Sequence, residues 1–302
     1  MKDPYLLHMF NPTKNVSPFD VNMAYEAAYN AVIPYTDVGL EDIHALTQDT
    51  IFSRGPTGVK RTGIFIGGRD FGLAIDMLEA AKKAMVPPFE VSVFADPSGA
   101  ITTAAALVAA VESCIKKQGR GGLAGKNIHV FGGTGPVGVC AGILASGAGA
   151  NIFVASSRGA EAGSRAAEPY NRRYGVSLCG ADSGSEAGIC AILDSADIVV
   201  GAAKAGVQIL SKTQLATAHR LLVAADVNAV PPSGIEGVGV QDMGKVLDYT
   251  PARAVGIGAL AIGNLKYKVH YRLFQIMIEA QRAVYIDHNK AFEVAREYAA
   301  AL

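Results

Sequence analysis

Gly133, Thr134, Gly135, Pro136, Val137 and Gly138 set three glycines at the spacing used by loops that bind a pyrophosphate. In such a loop the first glycine permits a tight turn, and the second lets the phosphate approach the backbone. The third lets the following helix pack on the preceding strand, while the helix N-terminus offers amide donors and positive dipole. About twenty residues on, the run NIFVASSR ends in Ser156, Ser157 and Arg158. An NAD-selective site usually carries Asp or Glu there to hold the ribose 2′-hydroxyl. This chain has no carboxylate at that point to repel a phosphate, and the Arg158 guanidinium with two hydroxyls suits a 2′-phosphate. The residues therefore favour NADP over NAD, against the plainer reading of an exposed arginine on a loop. Ala202 and Ala203, ending ADIVVGAA, and Asn228, in ADVNAVPPSGI, complete the set expected to face the dinucleotide.

A second polar group lies nearer the N-terminus: Asp20 in SPFDVN, Arg69 and Asp70 in GGRD, and Asp96, Ser98, Gly99, Thr102 and Thr103 in DPSGAITT. Ligands of open α/β sheets collect at the carboxyl ends of strands, so these residues are expected to line one wall of a cleft. Ser98, Thr102 and Asp20 also suit helix caps, which is the competing reading. Lys266 and His270 stand four apart in an otherwise apolar helical stretch and share a face. They suggest a site, although a lysine snorkelling from a buried face fits the same pattern.

The elements that must carry these groups follow from periodicity. Residues 127–158 hold no Asp, Glu or Lys, and their length alone would suit a membrane span. Seven glycines break the stretch instead into strand, turn, helix and strand. Before it, YLLHMF, TGIFIGG and FEVSVFAD read as strands, PFDVNMAYEAAYNAV and FGLAIDMLEAAKKAM as helices, and a further helix is expected over about 100–117. After it, NIFVASS, ADIVVGAA, LLVAADV and AVGIGAL read as strands, and a long apolar helix runs from about 259 to 286. Alternation of this kind gives the α/β class: two domains, each a mostly parallel sheet with flanking helices, the second of the Rossmann dinucleotide-binding type. The glycine-rich GRGGLAGK marks the boundary. The first domain is expected at 1–118, with a C-terminal helix at 275–302 returning to it, and the dinucleotide domain at 119–274.

Composition narrows the partners. The chain has 302 residues, half of them hydrophobic, with Lys plus Arg and Asp plus Glu equal at 27 each. No basic run offers a footprint for nucleic acid or anionic lipid, so a small molecule is the expected partner. The start MKDPYLLHMFNP has too short an apolar run for a signal peptide, and a cytoplasmic protein is expected. Cys114, Cys140, Cys179 and Cys190 are irregularly spaced, the six histidines form no close ligand pair, and no metal is indicated.

With these residues laid out, the chain resembles the bacterial methylene-tetrahydromethanopterin dehydrogenases, which share a two-domain plan with the bifunctional methylene-tetrahydrofolate dehydrogenases. The likeness runs nearly end to end through FDV, RTGIFIGG, DPSGAITTAAA, GGTGPVG, ADVNAVPPSGI and GIGALAIGNLKYKVH. It implies reversible hydride transfer from the methylene carbon of the pterin to NADP, leaving a methenyl cation, within formaldehyde oxidation. Members of the family differ in dinucleotide preference, so NAD stands beside NADP. Carried over motif by motif, Asp20 and Lys266 would lie at the pterin as catalytic groups, with DPSGAITT and His270 lining the same cleft. No strong general base is implied, because the pterin nitrogens stabilise the cation and the protein mainly orients two rings and excludes water. A homo-oligomer is expected, with hinges near 119–125 and 264–275. Rival readings are a folate- or shikimate-type dehydrogenase and a non-catalytic NADP-binding sensor. The folate enzymes place a lysine four residues after a tyrosine on a helix of the first domain, and this chain has no such pair there.

Overall fold

In the computed structural model, which describes residues 3–301, the apolar runs near the N-terminus become neighbouring parallel strands. The elements in chain order are β1 Leu6–Phe10, α1 Pro18–Glu26, β2 Ala31–Tyr35, α2 Ile43–Phe52, α3 Pro56–Val59, β3 Thr62–Ile66, α4 Phe71–Ala84, β4 Ser92–Ala95 and α5 Ala100–Lys117. The sheet order is β12-β4-β3-β1-β2, where β12 is the late pair Tyr285–Ile286, and every recorded pairing is parallel. All five residues of β3 are buried, as expected of a parallel strand covered on both faces. From β1 the chain steps to β2 on one side and to β3 and β4 on the other. The sheet thus has a topological switch point between β1 and β3, where loops diverge and leave room for a ligand.

The second sheet takes β5 Asn127–Phe131, β6 Asn151–Ser156, β7 Leu178–Asp182, β8 Ile198–Gly201, β9 Val223–Asp226, β10 Met243–Val246 and β11 Val255–Ile257. Their order is β10-β11-β9-β8-β5-β6-β7, parallel except for β10 against β11. The helices are α6 Pro136–Gly147, α7 Ala160–Tyr174, α8 Glu186–Ser195, α9 Lys212–Leu215, α10 Ala259–Glu279 and α11 His288–Ala300. Strand β5 is the first of this sheet in sequence and lies inside it between β8 and β6, so the switch point falls between β5 and β8. That is the doubly wound dinucleotide order expected from the sequence.

Contacts group residues up to Thr102 with Tyr267–Val294, and Thr103–Lys266 with the residues from Ala295 on. The boundaries expected at 118 and 274 therefore move to 102 and 266, inside α5 and α10. The glycine-rich stretch ends α5 rather than separating two compact units. Other expectations also change. The helix expected through PFDVNMAYEAAYNAV stops at Glu26, and its tail belongs to β2. The helix expected to run to 286 stops at Glu279, because Tyr285 and Ile286 pair with Val93 and Phe94 at the edge of the first sheet. The helix expected at 275–302 is therefore interrupted, and the end of α11 groups with the second unit. There Arg296 Nε and Nη2 donate to the Glu112 carboxylate at 2.7 and 3.2 Å. Among the described residues one helical stretch, Pro97–Lys117, is long and apolar enough to cross a membrane, but 83% of its apolar window is buried in the protein.

Candidate active site

The glycine loop is built by three different constraints. Gly132 has φ +73°, a left-handed conformation, and a Cβ on it would collide with the backbone of Ala202 and Ala203. The ends of β5 and β8 meet there, at the switch point. A Cβ on Gly138 would stand 2.6 Å from the Gly132 carbonyl oxygen and from Gly133 Cα, so this glycine lets α6 lie on the strand. Gly135 differs: it is the N-cap of α6 with φ −82° and ψ 164°, and a Cβ there would meet only the Gly132 oxygen, at 3.3 Å. Space is therefore kept open at the helix N-terminus, whose first-turn amides have no acceptor within the helix. Pro136 begins the helix and Thr134 is exposed beside it. This cradle fits a pyrophosphate. The sequence placed the tight turn at Gly133, whereas the left-handed residue is Gly132, one position earlier.

At the end of β6, Ser156 is buried and its hydroxyl accepts from the Arg158 amide at 3.2 Å. Ser157 and Arg158 are exposed. The neighbouring strand β7 ends at Asp182, paired with Ser156. Its carboxylate accepts from the Ser185 hydroxyl and the Gly184 amide, and these donors hold its pKa below the ordinary value. Asn228, expected to meet the dinucleotide, braces its own loop. Its Oδ1 accepts from the Gly206 and Val230 amides at 3.2 and 2.9 Å, and Nδ2 donates to the Pro232 carbonyl at 2.9 Å.

The first unit carries a cavity of about 340 Å3 at its own switch point, beyond the ends of β1 and β3. Asn11, Thr13, Asn15, Asp20, Arg69 and Ser98 are among the residues that line it. The loop after β1 is shaped by Asn11, whose Nδ2 donates to the Thr13 carbonyl and hydroxyl and to the Asn15 carbonyl. Asn11 was not singled out from sequence. The available signal was the turn-forming NPTKN directly after a strand. Ser17 caps α1 by accepting from the Asp20 amide at 3.4 Å, so Asp20 is not the cap, and it turns inward with 3% of its surface exposed. Asp70 does cap its helix, accepting from the Leu73 amide at 2.8 Å. Ser98, at φ 51°, donates to the Gly68 carbonyl at 2.8 Å. That bond ties the loop after β4 to the loop after β3.

Three residues expected along the substrate wall lie deeper. Asp96, Thr102 and His270 are fully buried close to one another. Thr102 Oγ1 donates to Asp96 Oδ2 at 2.6 Å, and His270 Nδ1 stands 3.0 Å from the same oxygen. Gly99, buried at φ 67°, sits in the turn that brings Asp96 under α5. Thr103 follows half-buried in α5, and Lys266 is half-buried in α10. Among the described residues no group of three or more His, Cys, Asp or Glu side chains is placed to hold a metal ion.

Comparison with known proteins bears on what such an arrangement serves. Residues 18–98 match the family described as methylene-tetrahydromethanopterin dehydrogenase, N-terminal. The NAD(P)-dependent methylenetetrahydromethanopterin dehydrogenase of Methylorubrum extorquens is 45% identical over 97% of this chain and 98% of its own length. The chain belongs to the methylenetetrahydromethanopterin dehydrogenase family. A second relative from that organism, the bifunctional protein MdtA, is 34% identical over 97% of this chain and 99% of its own. Among solved structures, shikimate 5-dehydrogenase of Listeria monocytogenes is 13% identical with a TM-score of 0.53, over 96% of this chain and 96% of its own, and it shares the architecture alone.

Proposed function

We propose that this chain catalyses reversible hydride transfer between methylene-tetrahydromethanopterin and NADP, with NAD as a second acceptor. The first unit serves as the pterin-binding domain and the second as the dinucleotide domain. The observation that carries the substrate side is the polar cavity at the first switch point, walled by the inward-turned Asp20, in a chain with full-length relatives in this family. When bound, the nicotinamide supplies the site that accepts the hydride. The protein's own task is to orient and to screen. The α6 N-terminus and the open space at Gly135 hold the pyrophosphate, and Ser156, Ser157 and Arg158 stand where a ribose 2′-phosphate is read. Asn11, Arg69 and Ser98 supply polar atoms around the pterin. Asp20 stabilises the positive charge that grows on the substrate as the hydride leaves, and Lys266 serves to orient the pterin.

The same reading places the protein in the cytoplasm as an assembly of identical chains. An apolar patch supports the assembly: Phe52, 55% exposed, packs on Phe89 with ring centroids 5.6 Å apart, and Val86 bridges to Phe89. The deciding experiment offers purified protein methylene-tetrahydromethanopterin, methylene-tetrahydrofolate or shikimate with NADP or NAD and follows reduced nicotinamide. Turnover confined to the pterin upholds the proposal. Turnover with folate or shikimate but not the pterin overturns it.

A further inference from the structure

The end of β6 carries no carboxylate, but the neighbouring strand brings one to the same place. Asp182 closes β7 and is the registered partner of Ser156, so the two side chains leave the same face of the sheet at the carboxyl ends of their strands. The loops that follow are tied together. The Ser183 amide donates to the Ser156 carbonyl at 3.0 Å. Gly184 lets the two turns touch, since a Cβ on it would stand 2.2 Å from the Ser157 carbonyl oxygen and 3.4 Å from Asp182 Oδ1. A single added methyl group would meet both the carboxylate and the backbone that presents Ser157 and Arg158.

The carboxylate is held firmly and keeps its charge. Its Oδ1 accepts from the Gly184 amide at 2.8 Å, and its Oδ2 accepts from the Ser185 hydroxyl. These donors favour the ionised form and hold the pKa down, and both are neutral groups, so they fix the carboxylate without cancelling its charge. Ser185 is itself anchored, because it caps α8 by accepting from the Gly188 amide at 3.0 Å. A Cβ on Gly188 would press on Asp182 Oδ2 at 2.7 Å, which shows how closely the helix start packs on the acid. A phosphate monoester beside it would carry about 1.5 to 2 negative charges at neutral pH, whereas a ribose 2′-hydroxyl carries none.

We propose that Asp182 is a specificity-determining residue of the dinucleotide site: its charge opposes the 2′-phosphate that Arg158 attracts, and so keeps NAD in use beside NADP. This rests on the reading of Ser156, Ser157 and Arg158 as the place of the ribose 2′ position. The missing acid at the end of β6 leaves the site open to a phosphate, and the acid on β7 restrains the preference. A residue that only shaped the turn before α8 would act equally on both dinucleotides.

Titration of purified Asp182→Asn, Asp182→Ser and Arg158→Ala with NADP and with NAD separates these roles, with thermal melts to confirm folding. Asparagine and serine both keep a short acceptor for the turn and remove the charge, so either folded variant decides the matter. Opposing charges roughly 6 to 8 Å apart in a water-like dielectric predict that the NADP-to-NAD affinity ratio rises about three- to tenfold at low ionic strength. Screening should reduce that gain to less than about twofold near 1 M salt. An unchanged ratio in the Asp182 variants, with Arg158→Ala still selective against NADP, overturns the inference and leaves the 2′ reading standing. Equal loss of both dinucleotides, or a gain that salt does not reduce, makes Asp182 a turn-former and also overturns it. If Arg158→Ala leaves the ratio unaltered as well, the reading of the 2′ position at Arg158 fails.

Discussion

Gly135→Val and Gly138→Ala should damage the protein in opposite ways, although the two glycines belong to one loop. At Gly135 the backbone is extended, at φ −82° and ψ 164°, and a Cβ would meet only one carbonyl oxygen, at 3.3 Å. Valine can adopt that conformation, and exchanging glycine at a helix N-cap for a β-branched residue costs about 1 kcal/mol. Its methyl groups would occupy the space left for the pyrophosphate. Loss of two charge-assisted contacts at about 1.5 to 3 kcal/mol each predicts dinucleotide affinity at least about 100-fold weaker. At Gly138 the added Cβ would stand 2.6 Å from backbone atoms of Gly132 and Gly133, which no side-chain rotation relieves. Pushing α6 from β5 costs about 1 to 3 kcal/mol, lowering the midpoint of thermal unfolding by several degrees at roughly 2 to 4 °C per kcal/mol. Thermal melts without ligand, paired with titration of NADPH fluorescence, read both quantities. Gly135→Val that melts near the unmodified temperature yet binds NADPH normally would refute the cradle. A Gly138→Ala protein of unchanged stability would refute the packing argument.

Arg158→Ala should weaken NADP by roughly one to two decades while leaving NAD nearly unchanged, since a guanidinium–phosphate contact of about 1.5 to 3 kcal/mol exists with only one of them; equal losses in a competitive titration count against it. Lys266→Ala should reduce kcat/KM for the pterin by at least about tenfold, roughly 1.4 kcal/mol, with NADP affinity near normal, and wild-type kinetics would make it a snorkelling residue. His129 is buried on β5 with its ring stacked 4.6 Å from Phe153, and burial pushes its pKa down from 6.5 to about 4, against a smaller upward pull from Asp197. The unfolded chain takes up a proton that the folded one refuses, so stability is complete above about pH 6.5 and declines toward pH 4. At about 1.4 kcal/mol per pKa unit the loss reaches at most about 3 kcal/mol. Urea midpoints across that window should show the decline in the unmodified protein and a shallower one in His129→Phe; identical slopes contradict the assignment.

The strands and the glycine loop were legible because their signals are local: apolar runs bounded by Gly and Pro, and a short spacing rule. What escaped had weak local punctuation or came from distant residues. No glycine or proline separates α1 from β2, because the reversing residue is Ala28 at φ 80°, and β2 carries Pro34, which suits an edge strand. β12 is two residues long and meets its partner β4 across almost the whole sequence. At the candidate site, Asp20 and Ser98 were singled out from motifs and line the cavity. The proximity of Asp96 and His270 was not foreseen, since helical spacing shows which residues share a face and not whether that face is buried.

The first sheet is completed by Tyr285 and Ile286, and this has a consequence for the order in which the protein is made. A ribosome releases β1 to β4 early, yet the strand that covers the outer edge of β4 emerges only after every strand of the second sheet, as do His270 and Phe274, which fill the interior beside Asp96. Nearly all of the second unit is one unbroken stretch of chain and can close while synthesis continues. The nascent first unit meanwhile carries an open strand edge and an acidic group without its histidine. Emergence of β12, rather than of its own N-terminal sequence, is the moment at which the first unit's sheet becomes whole, and truncations that remove β12 should send it toward aggregation while costing the second unit only the end of α11.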